Sequence, residues 1–148
     1  VGSVRCVYET GQMDHGKYSK SFKINDREPI EINPHDAKKR GLKNGDVVKL
    51  FNNRGACLAG VKVNKKVMEG VVQISTGAWY DPEKPNEPNS MCKHGNPNVL
   101  TLDKGTSKLG QGPIAHSCLI EMEKFIDTPP SITAYEPPTI LRNKTNNN

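Results

Sequence analysis

Turn-forming residues recur so closely between Glu28 and Ile74 that no regular element in this stretch can be long. Glu28-Pro29-Ile30-Glu31-Ile32 alternates charged and apolar side chains, the pattern of a short half-buried strand. Asn33 then reads as a helix N-cap, with Pro34 at the first helical position, where its missing N–H costs nothing. Asp36 adds negative charge to the first turn and Gly41 is placed for the C-terminal stop, so the spacing predicts a small helix over Asn33–Gly41. Lys43-Asn44-Gly45-Asp46 turns the chain into a strand over Val47–Phe51. Asn52-Asn53-Arg54-Gly55 tolerates positive φ and reverses it into a return strand over Ala56–Val63. A lysine-rich turn ends at Gly70, and Val71–Ile74 is a further strand. Short strands around one small helix hide their edges best in a closed or nearly closed barrel.

The flanks are less regular. Residues 1–26 are polar and weakly patterned, and read as an N-terminal arm or interdomain connection. From Ser75 to Pro97 the chain carries four prolines and no period, a length that in a compact domain marks a functional or disordered segment. Trp79 and Tyr80 at its entrance and Met91-Cys92 further on need packing partners, which favours an ordered excursion. In Ser117–Phe125, Cys118, Ile120 and Met122 face inward while Glu121 and Glu123 face water, a closing strand. Beyond Asp127, four prolines and a run of asparagines predict a flexible tail over 127–148 that does not pack. The domain proper is therefore expected over 27–126.

Apolar residues make up 34% of the 148, enough for one core, and Gly and Pro are plentiful, as in a mainly β chain with long loops. No apolar run approaches the ~20 residues that cross a bilayer, and Val1–Glu9 lacks the apolar stretch of a signal peptide. Val1 in place of a start methionine reads as a cut from a longer chain. The net charge of +5 raises the odds of an anionic partner without naming it. Aromatics, at 5%, are too few for a platform that stacks single-stranded nucleic acid, and Lys38-Lys39-Arg40 reads as a solvated last helical turn. None of the four cysteines is paired as Cys-x-x-Cys, and buried free thiols are the default. Cys92 with His94 and His116 with Cys118 leave a zinc site as an alternative.

Two segments could carry chemistry. Lys104-Gly105-Thr106-Ser107-Lys108-Leu109-Gly110-Gln111-Gly112 combines glycines, hydroxyls and a cation, which suits phosphate or pyrophosphate; a flexible surface loop explains it equally well. It is neither a P-loop nor a Rossmann fingerprint, because the lysine and the strand–helix unit are missing. In Lys93–Thr101, Asn96 and Asn98 can donate to and accept from the edge of a heterocyclic base, or merely support turns around Gly95 and Pro97. No nucleophile elbow, His-Glu-x-x-His or convincing carboxylate pair is present, so no catalytic and no metal-ligating residue is assigned.

Arg27-Glu28-Pro29, Ile32–Ala37, Arg40–Leu42 with Asn44–Val48, Asn52–Gly55, Gly77–Pro82, His94–Thr101 and Gly105–Leu109 occur in this order. Together they resemble the C-terminal molybdopterin-dinucleotide-binding domain of the dimethyl sulfoxide, trimethylamine N-oxide and biotin sulfoxide reductases, over roughly Arg27–Phe125. The resemblance implies a double-psi β-barrel with one or two short helices and long loops. It implies the bis(molybdopterin guanine dinucleotide) cofactor with molybdenum, held together with the remaining domains of a parent reductase that acts on S- or N-oxides by oxygen-atom transfer. The isolated chain is not expected to be active, and a cytochrome electron donor to the parent enzyme is a further implied partner. Relatives occur in the periplasm and the cytoplasm, and the periplasm is the expectation here.

Carried onto this chain, the resemblance makes Trp79, His94, Gly95, Asn96, Asn98, Thr106, Ser107, Lys108 and Gln111 cofactor-binding. Asn96, Asn98 and Gln111 would reach pterin or guanine, Ser107 and Lys108 would face phosphate, and Trp79 would anchor the long loop. The His-Pro-x-x-Arg-x-His-Ser-Gln segment that usually opens such domains is not matched in residues 1–26, where His15 stands alone. The alternative from another class is a non-enzymatic basic module for nucleic acid or an acidic partner.

Overall fold

The computed structural model describes residues 2–5, 14–112, 114 and 117–137. Seven strands form one mixed sheet: β1 (Gly2–Arg5), β2 (Pro29–Ile32), β3 (Val47–Phe51), β4 (Ala56–Val63), β5 (Val72–Ser75), β6 (Ser117–Cys118) and β7 (Glu121–Lys124). Two short helices, α1 (Lys17–Phe22) and α2 (Pro34–Lys39), and a 3-10 turn at Pro97–Val99 complete the described elements. The chain is thus mainly β.

The strand order is β6-β1-β5-β2-β4-β3-β7. β1 runs parallel to β5, and β2 parallel to β4, while the remaining neighbours are antiparallel. β6 and β7 occupy opposite ends of this order, yet only Leu119 and Ile120 separate them. Laid flat, seven strands would hold their outer edges ~29 Å apart. Three residue steps from Cys118 to Glu121 reach ~11 Å at most. The sheet is therefore rolled until its two ends nearly meet.

The predicted elements of the middle section recur within a residue or two. Asn33 caps α2, its side chain accepting the His35 N–H at 2.8 Å, and its amide also donates to the Val67 carbonyl. Gly41 and Gly45 take positive φ (+63° and +89°) in the turns assigned to them, where other residues would be strained. Replacing Asn33 with alanine removes the cap and the Val67 tie together; it is expected to lower stability by about 1–2 kcal/mol, measured by urea unfolding.

The core gathers Ile30 and Ile32 of β2, Val48 and Leu50 of β3, Cys57, Ala59 and Val61 of β4, Ile74 of β5, and Ala37, Leu42, Cys92 and Leu100. β4 is covered on both faces, which is why Cys57-Leu58-Ala59-Gly60-Val61 shows no polar alternation. On its outer side Gly60 lies against Ile24, so close that an added Cβ would come within 2.4 Å of the Ile24 Cβ.

Three expectations change. Part of the supposed N-terminal arm is β1, inside the sheet between β5 and β6. The closing strand is two strands: Cys118, Ile120 and Met122 do pack on the core, but the chain crosses from the β1 edge to the β3 edge at Leu119-Ile120. The segment after Asp127 does pack, as far as Tyr135, because Thr133, Ala134 and Tyr135 find buried polar partners; residues 138–148 lie outside the described residues. The excursion over 75–97 is ordered, with Glu83 N–H on the Met91 carbonyl, Lys93 N–H on the Asp81 carbonyl, and Cys92 bridged beside Cys57 on β4.

Candidate functional site

Asp14 is the organising group of one buried cluster. Its Oδ2 accepts from the Trp79 N–H (3.1 Å) and the Tyr135 hydroxyl (3.2 Å) and lies 3.0 Å from His94 Nε2, while Oδ1 meets Lys23 Nζ at 2.5 Å. Lys23 also contacts Glu28, and the Lys23 and Asp14 side chains are almost fully buried. Burial alone would raise the Asp14 pKa, but hydrogen bonds from His94, Lys23 and the Trp79 N–H, with the Lys23 charge, hold it far below the usual carboxylate range. Burial raises the Glu28 pKa, and Lys23 opposes that rise. With its proton on Nε2, His94 donates to Asp14; its Nδ1 is buried without a hydrogen-bond partner among the described residues.

The chain after His94 is fixed by close packing. The His94 carbonyl accepts the Glu28 N–H at 3.0 Å. Gly95 follows at φ +96°, where a Cβ would lie 2.7 Å from Glu28 Cβ, 3.1 Å from Glu28 N and 3.2 Å from the Leu58 carbonyl oxygen. Asn96 then caps the Pro97–Val99 turn by accepting the Asn98 N–H, leaving Asn98 itself exposed. Trp79 is 37% exposed, stacked on His15 at 5.8 Å and tilted against Tyr135 at 5.7 Å.

The Pro97–Val99 turn leads to a second region. The Leu100 carbonyl accepts from Asn52 Nδ2 (2.9 Å) and Arg54 Nε (2.7 Å), which ties the turn to the β3–β4 hairpin. Gly55 permits this approach, since a Cβ there would lie 2.7 Å from the Val99 carbonyl oxygen. Asn52, Asn53 and Arg54 line one wall of a cleft of about 440 Å³; Leu102, Ile114 and Ser117–Glu121 line the rest. Leu102 and Ile114 flank the glycine-rich loop, which is closed at its foot by the Thr106 N–H on the Gly112 carbonyl (2.7 Å). Inside the loop, Ser107 Oγ accepts the Gly110 N–H, and Gln111, at φ +46°, donates through Nε2 to the Lys108 carbonyl. Thr106, Ser107, Lys108 and Gln111 are exposed.

The predicted residues therefore fall into two groups. Trp79, His94 and Gly95 meet around Asp14; Thr106, Ser107, Lys108 and Gln111 share one exposed loop beside the Arg54 cleft, and Asn96 and Asn98 lie on the turn that joins the two. None of the nine lines that cleft directly. Asn52, Asn53 and Arg54 give no sign in the sequence of a role at the site, because a turn explains them completely, although Asn52–Gly55 is among the segments that resemble the family. Asp14, Lys23 and Tyr135 carried no local signal.

The donor set suits a polyanionic, heterocyclic ligand. The cleft offers the Arg54 guanidinium, the Asn53 amide and the Ser117 hydroxyl, with the Asn52 amide held by the Leu100 and Leu119 carbonyls, against one carboxylate, Glu121, and lies beside a loop bearing Lys104 and Lys108. Among the described residues no three His, Cys, Asp or Glu side chains are grouped to hold a metal ion, and His116 lies outside them. Cys57 and Cys92 are buried free thiols, and burial pushes the Cys57 thiol well above its ordinary value.

Residues 3–119 match a family model described as "Molydopterin dinucleotide binding domain". The chain is 49% identical over 117 residues, 79% of its length, to a trimethylamine-N-oxide reductase of Salmonella typhi, of which it covers 14%. It is 51% identical over 112 residues to trimethylamine-N-oxide reductase 1 of Escherichia coli strain K12, covering 76% of this chain and 13% of that one. A dimethyl sulfoxide/trimethylamine N-oxide reductase of Cereibacter sphaeroides is 44% identical over 117 residues, again 79% of this chain and 14% of the relative. Among solved structures, the acetylene hydratase from Pelobacter acetylenicus superposes with a TM-score of 0.54 at 17% identity, over 84% of this chain and 18% of that one, a likeness of fold. The chain spans about 14% of the length of the curated relatives it matches.

Proposed function

The chain belongs to the molybdopterin dinucleotide-binding domain family, and on that premise we propose that it is the domain that closes over molybdopterin guanine dinucleotide in a molybdenum reductase acting on N- or S-oxides. The relatives named for trimethylamine N-oxide and dimethyl sulfoxide support the substrate class. A double-psi β-barrel is the fold we assign, supported by two parallel strand pairs in one rolled sheet. A cytochrome electron donor and a periplasmic setting belong to the same reading and rest on the family resemblance. When bound, the cofactor supplies two-electron oxygen-atom transfer.

This chain's own residues bind and orient. Asn98 and Gln111 offer amides toward pterin or guanine, with Asn96 holding the turn beneath Asn98. Thr106, Ser107 and Lys108 face phosphate beside the Arg54 guanidinium. His94 and Gly95 act from below, fixing the backbone that carries Asn96 and Asn98, and Trp79 braces the long excursion. The observation that carries this reading is the Leu100 carbonyl, which ties the asparagine-bearing turn to Asn52 and Arg54 on the wall of the cleft beside the glycine-rich loop. The all-purpose basic module loses its footing, since the exposed cations lie beside a shaped polar cleft within a matched family domain.

The test uses the full-length parent reductase. Arg54→Ala, and Asn98→Ala combined with Gln111→Ala, are each expected to weaken retention of pterin and molybdenum by about tenfold or more, since the first removes a charge-assisted bond and the second two neutral ones together. Molybdenum content after gel filtration, with the melting temperature as a folding control, reads the outcome. Undiminished content in both variants would remove these residues from the site.

A further inference from the structure

Pro129–Tyr135 returns along the molecule beyond the matched 3–119 span, held by polar groups up to Ala134 and, at its end, by the Tyr135 hydroxyl and by its ring against His15, Trp79 and His94. Asp81 is 4% exposed, and its carboxylate accepts the Thr133 N–H (2.7 Å), the Thr133 hydroxyl (2.6 Å) and the Ala134 N–H (3.1 Å). Lys93 Nζ stands 3.3 Å from the same carboxylate and donates to Thr133 Oγ1. Arg27 donates to the Pro130 carbonyl. Tyr135 donates its hydroxyl to Asp14, sets its ring edge against His94 at 5.1 Å, and carries Lys20 Nζ over its face at 4.1 Å. Between these ties Pro129–Ile132, with Tyr135, faces Asn25–Arg27 across an open cleft of about 580 Å³.

We propose that Pro129–Tyr135 is a releasable strap, latched by Asp81 and Asp14 over the Trp79–His94 face, that opens as a unit while the sheet stays folded. Apolar burial would make the segment part of the core's cooperative unit. Attachment through two carboxylates lets it detach alone, since segments with few buried apolar contacts open at lower free energy than the core. Opening uncovers one side of the Trp79 indole and the His94–Asp14 pair, so the strap governs access to that face. Release of the strap requires no bound cofactor.

Hydrogen exchange on the 148-residue chain tests it. Asp81→Asn keeps the side chain's size but removes the charge from the latch. The Thr133 and Ala134 amides are then expected to exchange roughly 10- to 100-fold faster, as befits lost charge-assisted bonds, while amides of β3 and β4 keep their wild-type rates. Emission from Trp79, the only tryptophan, shifts in the same variant as Tyr135 leaves it. A second variant ending at Asp127 retains β3 and β4 protection if the strap is separable. Unchanged exchange at Thr133 and Ala134, an equal acceleration in β3 and β4, or collapse of the shortened chain would each overturn the proposal.

Discussion

Replacing Lys23 with methionine is expected to cost about 3–5 kcal/mol of stability at neutral pH, because it strands buried carboxylates beside a side chain of similar volume and no charge. Lys23 sits between Asp14 and Glu28, and all three side chains are buried or nearly so. The pH dependence follows from the two carboxylates. Asp14 has a depressed pKa, so its interactions stabilise the fold above the ordinary carboxylate range and are lost as pH falls through the depressed value. Glu28 has a raised pKa, so its charged form is the disfavoured one, and without Lys23 it takes up a proton at still higher pH. Protonation relieves the unpaired charge. The deficit between variant and wild type is therefore largest near pH 8 and narrows toward pH 5, as read by urea unfolding at both. A deficit below about 1 kcal/mol, or one that widens on acidification, contradicts the assignment of Lys23 as the shared counter-ion.

Gly95→Ala is the second large effect, on the order of 3 kcal/mol or more. A positive φ of +96° strains any residue with a Cβ, at about 1–3 kcal/mol. Steric overlap adds to it, since two of the three atoms met are backbone atoms of Glu28 and Leu58, which cannot rotate away. Gly70 provides the control: its φ is +75°, yet nothing lies within 4 Å of where a Cβ would stand. Gly70→Ala therefore carries conformational strain alone, and the difference in melting temperature between the two variants isolates the steric part. Equal losses would mean that Glu28 and Leu58 yield freely. In the parent reductase, Gly95→Ala is also expected to reduce cofactor content, because it shifts the His94 carbonyl and the turn that presents Asn98.

What was legible in the sequence was what local chemistry determines. Asn33-Pro34 announced a helix start, Gly41 its end, and Asn44-Gly45 a turn, because each works through neighbours a few residues away. β1 was not legible: Gly2-Ser3-Val4-Arg5 has no alternation of its own and is a strand because Val72–Ser75 lies parallel beside it and Ser117–Cys118 antiparallel on its other side. The break between β6 and β7 was hidden for a related reason. The inward alternation of Cys118, Ile120 and Met122 continues unbroken while the pairing partner changes. The candidate site divides the same way. His94-Gly95-Asn96-Pro97-Asn98 stood out as a motif, but nothing nearby revealed that the imidazole is buried against Asp14 and Tyr135, residues far off in both directions along the chain. Asn52-Asn53-Arg54 satisfied the needs of a hairpin so well that a second use of Asn52 and Arg54, holding the Leu100 carbonyl, left no residue in the pattern unexplained.

The rolled sheet also dictates an order of events in synthesis. β1 pairs with residues 72–75 on one side and residues 117–118 on the other, so its backbone groups stay bonded to water until those residues have been synthesised. β2, β3 and β4 can associate as soon as residue 63 has left the ribosome, but the seam cannot shut before residue 124 has followed. A nascent chain stalled between those points presents open strand edges to any neighbour, which makes this interval the natural moment for chaperone engagement.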